Sequence, residues 1–300
     1  GRKGWKRWVI ILAAALLLVV PMLALAIAVA ATNVPPTARG ETTPADQGLA
    51  FAEVAFPTAD GVTLAGWYVP SRNRAAVVVL HGAGSTVSSA LDQAAVLARA
   101  GYGVLLFDAR GHGESGGRAM DFGWFGDADV AAAVDYLAAR PDVDAPRLAA
   151  LGLSMGGEEA IGAAAADTRL RAVIAEGATG RIAADHSWLS DHYGFRGWIQ
   201  EGVEHLTYGL TDMLTSAHPP LSLRDAAALM APRPLLLIAA GGVPDEALAA
   251  DYIRAASPGT VQVWEVPAAE HTSGLAVAPA EWEERVLAIL AAALAPEGSG

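Results

Sequence analysis

Leu148 to Glu159 reads "LAALGLSMGGEE", and the reading of this stretch decides the fold. A short apolar run, Leu148–Leu151, has the length and composition of a buried strand. Gly156–Ala166 is alanine-rich and reads as a helix. Between them stands Gly152-Leu153-Ser154-Met155-Gly156, a G-x-S-x-G sequence. A serine between glycines, after a strand and before a helix, lies on a sharp turn. Glycines at 152 and 156 let the backbones approach around an exposed hydroxyl. The helix N-terminus beneath it offers positive potential to a developing oxyanion. The pentapeptide alone is a moderate signal, because glycine-serine turns are common.

Working outward, the same alternation continues. Phe51–Phe56 and Val62–Val69, joined by "PTADG", predict a β-hairpin. Strands are predicted at Ala75–Leu80, Val104–Asp108, Arg171–Ala175, Leu235–Ala240 and Val261–Val266. Helices are predicted at Ser89–Ala100, Asp127–Ala139, Glu246–Ala255 and Pro279–Leu294. Short apolar strands alternating with helices predict an α/β fold, a mostly parallel sheet with helices on both faces. Arg181–Leu221 breaks the alternation. It holds five of the chain's 20 aromatic residues and four of its seven histidines. A stretch this long within an α/β unit reads as an inserted lid. Its aromatics, Trp188, Tyr193, Phe195, Trp198 and Tyr208, are candidates for a substrate pocket or for the insertion's own small core.

A serine hydroxyl needs a base to act as a nucleophile. In a sheet of this kind the order is serine, acid, histidine, each after a later strand. His271 in "PAAEHTSG" follows Val261–Val266 and stands where the base belongs. The acid belongs after Leu235–Ala240, where "GGVPDE" offers Asp245 and Glu246. Asp245 is the first choice, three residues after Gly242. Glu246 more naturally opens the next helix, where its charge suits the dipole. "LHGAGST" follows Val77–Leu80 and supplies an oxyanion loop, with the N–H groups of Ala83 and Met155 as paired donors. His81, Gly82 and Gly84 are its supporting residues. Glu158 and Glu159 read as favourable charges near a helix N-terminus.

"HGAG" (81–84), "DARGHGES" (108–115), "GLSMGG" (152–157) and "EHT" (270–272) together resemble the α/β-hydrolase family of serine hydrolases. The resemblance covers about Leu49 to Leu294 apart from the insertion. The family's D-x-R-G-x-G-x-S pattern falls on Asp108, Arg110, Gly111, Gly113 and Ser115. It implies a structural turn there, so His112 is not the base. It also implies a lid after the sixth strand. Pro244 before Asp245 departs from the usual acid turn and keeps Glu246 open as the acid.

The rest of the chain bounds the function. The net charge of −12 argues against a nucleic-acid partner. With no cysteine there is no thiol nucleophile and no disulfide frame. The histidines of the insertion, His186, His192, His205 and His218, lack metal-ligand spacing, and neither a metal nor a cofactor is expected.

Residues 1–8 form a basic tip with Arg2, Lys3, Lys6 and Arg7. Val9–Ala31 is uncharged over 23 residues. As a helix it would reach about 35 Å, against about 30 Å of hydrocarbon. A transmembrane helix over 9–31 is therefore expected, with Trp5 and Trp8 at the interface. The basic tip would face the cytoplasm and the domain the outside. Cleavage as a signal peptide, giving a secreted protein, is the alternative. Residues 32–48 read as a Pro- and Thr-rich linker, able to hold the domain roughly 50 Å away if extended. The domain then runs over 49–296, with the lid at 181–221.

The expectation is a membrane-tethered serine hydrolase of carboxylic esters, esterase- or lipase-like. A peptidase or amidase would use the same groups, and a catalytically silent, membrane-displayed binding module is the third possibility. The natural ester and the oligomeric state are not legible.

Overall fold

In a computed structural model, the backbone is described for residues 2–296. The side chains of residues 2–4, 6, 9, 10 and 12–17 lie outside the described residues. Eight strands form one mixed sheet: β1 (Ala52–Pro57), β2 (Thr63–Val69), β3 (Ala76–Leu80), β4 (Gly103–Phe107), β5 (Leu148–Leu153), β6 (Leu170–Glu176), β7 (Leu235–Ala240) and β8 (Val261–Val266). Their order is β1-β2-β4-β3-β5-β6-β7-β8. β1 and β2 pair antiparallel, β2 pairs antiparallel with β4, and every later pairing is parallel. The predicted hairpin is thus an antiparallel edge on a parallel sheet.

Alternate residues of each strand feed two cores. Val78, Leu105 and Ala150 face one side, against α3 (Gly126–Ala138), α4 (Met155–Ala166) and α7 (Leu223–Met230). Val77, Val79, Leu106 and Leu151 face the other, against α2 (Leu91–Arg99) and α10 (Pro279–Ala293). With both faces covered, the central strands are apolar at every position rather than alternating. Alanine dominates α4, and its small side chains let that helix lie close to α3 and the sheet.

Between β6 and α7 the chain forms α5 (Leu189–Tyr193) and α6 (Phe195–Leu214). The stretch predicted as an insertion is therefore helical. α8 (Pro244–Arg254) follows β7, and α9 (Gly274–Val277) precedes α10.

The N-terminal segment departs from expectation. α1 (Arg2–Thr32) is one helix, but Ala24, Ala28 and Ala31, on one face, are buried, and α1 packs along α6. Its end is tied down where Asp121 N donates to the Ala31 carbonyl at 3.0 Å. Among the described residues no helix is long and apolar enough to cross a membrane. Residues 9, 10 and 12–17 of the predicted span have side chains outside the described set. The segment read as a linker also lies on the domain. Arg118 reaches Asn33, Gly113 N donates to the Thr37 carbonyl, and Arg39 pairs with Asp108. Pro and Thr content reports intrinsic stiffness, whereas these contacts are tertiary.

Candidate active site

The site stands at the carboxyl ends of β5, β7 and β8. Ser154 joins β5 to α4 with φ +53° and ψ −124°, a conformation uncommon for a residue with a Cβ. The turn is held by Ser154 N donating to the Glu176 carbonyl at 2.7 Å and Gly157 N donating to the Ser154 carbonyl at 2.8 Å. Its glycines are steric requirements. A Cβ at Gly152 would lie 2.1 Å from the Gly156 carbonyl oxygen, and one at Gly156 would lie 2.6 Å from that of His81.

His271 lies on the loop after β8. Its Nε2 is 2.8 Å from Ser154 Oγ, and its Nδ1 is 2.5 Å from Glu246 Oε1. The other Glu246 oxygen accepts Ala240 N at 2.7 Å, and the residue is only 2 % exposed. Hydrogen bonding to this carboxylate raises the imidazole above its ordinary pKa, against the opposing effect of burial. Gly177, φ +73°, makes room for the ring, since a Cβ there would lie 2.8 Å from His271 Cε1.

The first choice of acid is corrected. Asp245 is exposed, and its Oδ1 accepts the Tyr193 hydroxyl at 2.6 Å rather than meeting His271. Pro244 opens α8, which makes Asp245 the second helical residue and Glu246 the third. The two carboxylates point about 100° apart around the helix. The third position is also the one from which a glutamate reaches back past the helix start. Pro244, at the start of α8, is the signal in the sequence that points to Glu246.

His81 is buried. Its Nε2 accepts Ala109 N at 2.9 Å, and its Nδ1 lies 2.7 Å from the Gly82 carbonyl. Burial pushes its pKa down to about 4. The loop passes close to the serine, because a Cβ at Gly82 would lie 3.2 Å from Ser154 Cβ. Gly84, φ +64°, turns the chain after Ala83. Neither Ala83 N nor Met155 N, the first of α4, has an acceptor among the described residues.

Glu176 is a participant that sequence reading missed. Buried at the end of β6, it accepts Gly274 N at 2.6 Å and Trp282 Nε1 at 3.0 Å, so it holds the chain just after His271. A lone acid following the apolar run Ala172–Ala175 is its signal in the sequence. Glu158 and Glu159, expected as favourable helix-start charges, are more than that. Both are buried. Glu158 Oε1 accepts Thr179 N at 3.0 Å and Gly180 N at 2.9 Å, which fastens α4 to the chain entering the insertion. Burial pushes Glu158 up to about 7 and Glu159 well above its ordinary range.

The aromatics of the insertion divide. Trp188 and Tyr193 pack on α8, and Tyr208 packs with Met120 and Trp124. Phe195 and Trp198 stack on each other, 75 % and 63 % exposed. His186 reaches Tyr208, and His205 bonds the Glu201 carbonyl of its own helix. No group of three or more metal-ligating side chains is present among the described residues.

A serine on a strained strand-to-helix turn, with an imidazole on its hydroxyl and a buried carboxylate behind the imidazole, defines a serine hydrolase of α/β type. Residues 71–230 match the Hydrolase_4 family, described as serine aminopeptidase, S33, and the chain belongs to that family. Among solved structures, the esterase Pf2001 of Pyrococcus furiosus aligns with a TM-score of 0.67 at 25% identity, covering 87% of this chain and 99% of that one. The uncharacterized protein Rv2307c of Mycobacterium tuberculosis is 38% identical over 115 residues, 37% of this chain and 40% of the relative. The thiohydrolase aneE of Aspergillus aculeatus is 35% identical over 135 residues, 41% of this chain and 40% of the relative. These matches span about two-fifths of the curated relatives' length.

Proposed function

We propose that this serine hydrolase cleaves carboxylic esters through an acyl-enzyme formed on Ser154. The observation that carries the reading is the unbroken hydrogen-bonded line from Ser154 Oγ through His271 to buried Glu246. His271 Nε2 takes the hydroxyl proton as Oγ bonds to the acyl carbon, then gives it to the departing alkoxide as the C–O bond breaks. Glu246 holds the imidazole in the required tautomer and stabilises the imidazolium. The N–H groups of Met155 and Ala83 receive the oxyanion. Water, activated by the same imidazole, then releases the acid.

Replacing Ser154 with Ala should lower turnover of p-nitrophenyl acyl esters by about 10⁴-fold or more, with the folded state intact by circular dichroism. Normal turnover by that variant would sink the mechanism. Amide cleavage is the second reading, favoured by the family's description as a serine aminopeptidase. Comparing matched esters, thioesters and amino-acid p-nitroanilides on one preparation separates the leaving groups.

For location, the uncharged run at 9–31, its basic tip and the exposed Trp5 and Trp8 support seating at an anionic lipid surface. Co-flotation with phosphatidylserine vesicles tests this. Loss of flotation on deleting residues 1–23 is expected, and equal flotation without them would reject it.

A further inference from the structure

The chain between α1 and β1 touches two loops that bear on the serine. Thr37 Oγ1 donates to the Gly84 carbonyl at 3.3 Å, immediately after Ala83. The Thr37 carbonyl accepts Gly113 N at 2.8 Å. Two residues on, Arg39 is largely buried with its guanidinium 5.0 Å from the centre of the Trp67 ring. Its Nε and Nη2 donate to Asp108 Oδ2 at 2.8 and 2.5 Å, and its Nη1 donates to Glu114 at 2.8 Å.

Asp108 is the joint. It is fully buried, and its Oδ1 accepts Val87 N at 2.9 Å, at the far end of the oxyanion loop. Its Oδ2, shared with Arg39, also accepts Glu114 N at 3.0 Å. Gly113, φ +50°, is required above it, since a Cβ there would lie 2.0 Å from Asp108 Oδ2. The loop from His81 to Val87 is thus fixed from inside by His81 and Asp108, and from outside by Thr37. The planar guanidinium sets the rotation of the Asp108 carboxylate, and with it the direction of the bond to Val87 N.

We propose that Thr37 and Arg39 are positioning residues for acyl transfer, forming a strap that aims the oxyanion loop through Gly84 and Asp108. This rests on the acyl-transfer reading given above. An oxyanion donor works only when its N–H points at the place where the charge develops, so small displacements of Ala83 lower the rate without loss of ground-state binding. The strap makes Thr37 and Arg39 part of the acyl-transfer apparatus, joining the chain after α1 to the loop beside Ser154.

The test uses the full chain, p-nitrophenyl acetate and a boronic acid as transition-state analogue. Thr37→Val removes one hydroxyl and nothing buried. Arg39→Ala removes the fork, and Arg39→Lys restores the charge without it. The expected result for Thr37→Val and Arg39→Ala is a fall in kcat of about 10-fold with KM within about twofold, matched by an equal weakening of boronic acid inhibition. Arg39→Lys should recover part of the loss. Gln47→Ala cuts a contact of the same segment with Asp92, away from the loop, and should leave kcat unchanged.

Wild-type kcat and boronic acid affinity in Thr37→Val together with Arg39→Lys would overturn the strap. So would a loss in Gln47→Ala as large as that in Thr37→Val, or losses that follow thermal stability alone. Ester turnover abolished by Ser154→Ala establishes the underlying reading separately. Turnover indifferent to Ser154→Ala overturns both.

Discussion

The turn that carries Ser154 and the outer face of helix α6 are built on opposite terms. At the elbow itself three glycines cannot be enlarged: Gly152, Gly156 and Gly177 each have backbone or ring atoms within 3 Å of where a Cβ would stand. On the outer face of α6, Gly202 and Gly209 have nothing within 4 Å, and Phe195, Trp198 and Met213 face outward, whereas a Cβ at Gly197, on the packed face, would lie 1.9 Å from the Leu189 carbonyl oxygen. The polar groups follow the same division. Ser154, His271, Glu246, Glu176 and Glu158 are joined by hydrogen bonds to one another or to backbone amides of neighbouring strands and loops. The chemistry stands on the part of the molecule that tolerates no change. The open part is the outer face of α6, where side chains can be exchanged at little cost to the fold.

The sharpest way to break this comparison is at the acid. Glu246→Gln should lower kcat by about 10²-fold or more, because the imidazole loses the carboxylate that orients it. Asp245→Asn should stay within about threefold, since its partner is Tyr193. The pH profile gives a second signature. The base works neutral, so activity rises as pH climbs through the His271 pKa. Glu246 holds that pKa above the ordinary value of 6.5, so the acid limb of kcat/KM should lie above it. In Glu246→Gln the residual limb should move to lower pH. A large loss in Asp245→Asn with a mild one in Glu246→Gln would reverse the assignment.

A pair of glycine substitutions compares the two regions directly. Gly156→Ala should destabilise by about 1–3 kcal/mol and cut kcat at least ~10-fold, as the elbow shifts off His81 and Leu80. Gly202→Ala should leave kcat unchanged and add up to about 1 kcal/mol of stability through helix propensity. Calorimetry with ester assays on both variants checks this, and equal outcomes would end the contrast.

Glu158 gives a pH-dependent effect on stability. Its folded pKa of about 7 exceeds its ordinary 4.5, so the fold favours the neutral acid. That contribution is complete below pH 4.5 and is lost as pH rises through 7. Glu158→Gln keeps an oxygen for Thr179 N and Gly180 N without ever ionising. Denaturant titrations should show equal stability near pH 4.5. Above pH 7 the variant should gain an amount on the order of 2 kcal/mol. A gain that does not depend on pH would contradict the burial argument.

How much of this could be read in the sequence depends on how local the cause is. The strand-turn-helix at Ser154, the glycine loop after β3 and the histidine after β8 are set within a few residues, and each is legible from its own stretch. The choice between Asp245 and Glu246 depends on one helix-start position, and turned on Pro244. The burial of Glu158 was not legible. Its partners, Thr179 and Gly180, come from the next crossover, and nothing near residue 158 announces them. Residues 32–48 illustrate the same limit. A linker composition does not reveal that Arg39 finds a buried carboxylate 69 positions away. The apolar run at 9–31 suggested a membrane span, and only the fold shows its last alanines covered by the domain.

The central claim, that Ser154 is the nucleophile activated through His271 and Glu246, is tested most directly by treating the full chain with a fluorophosphonate and mapping the adduct by peptide mass spectrometry. The account predicts one adduct, on Ser154, absent in His271→Ala and formed much more slowly in Glu246→Gln. Labelling of a different residue, or labelling of Ser154 at an unchanged rate in both variants, would contradict it.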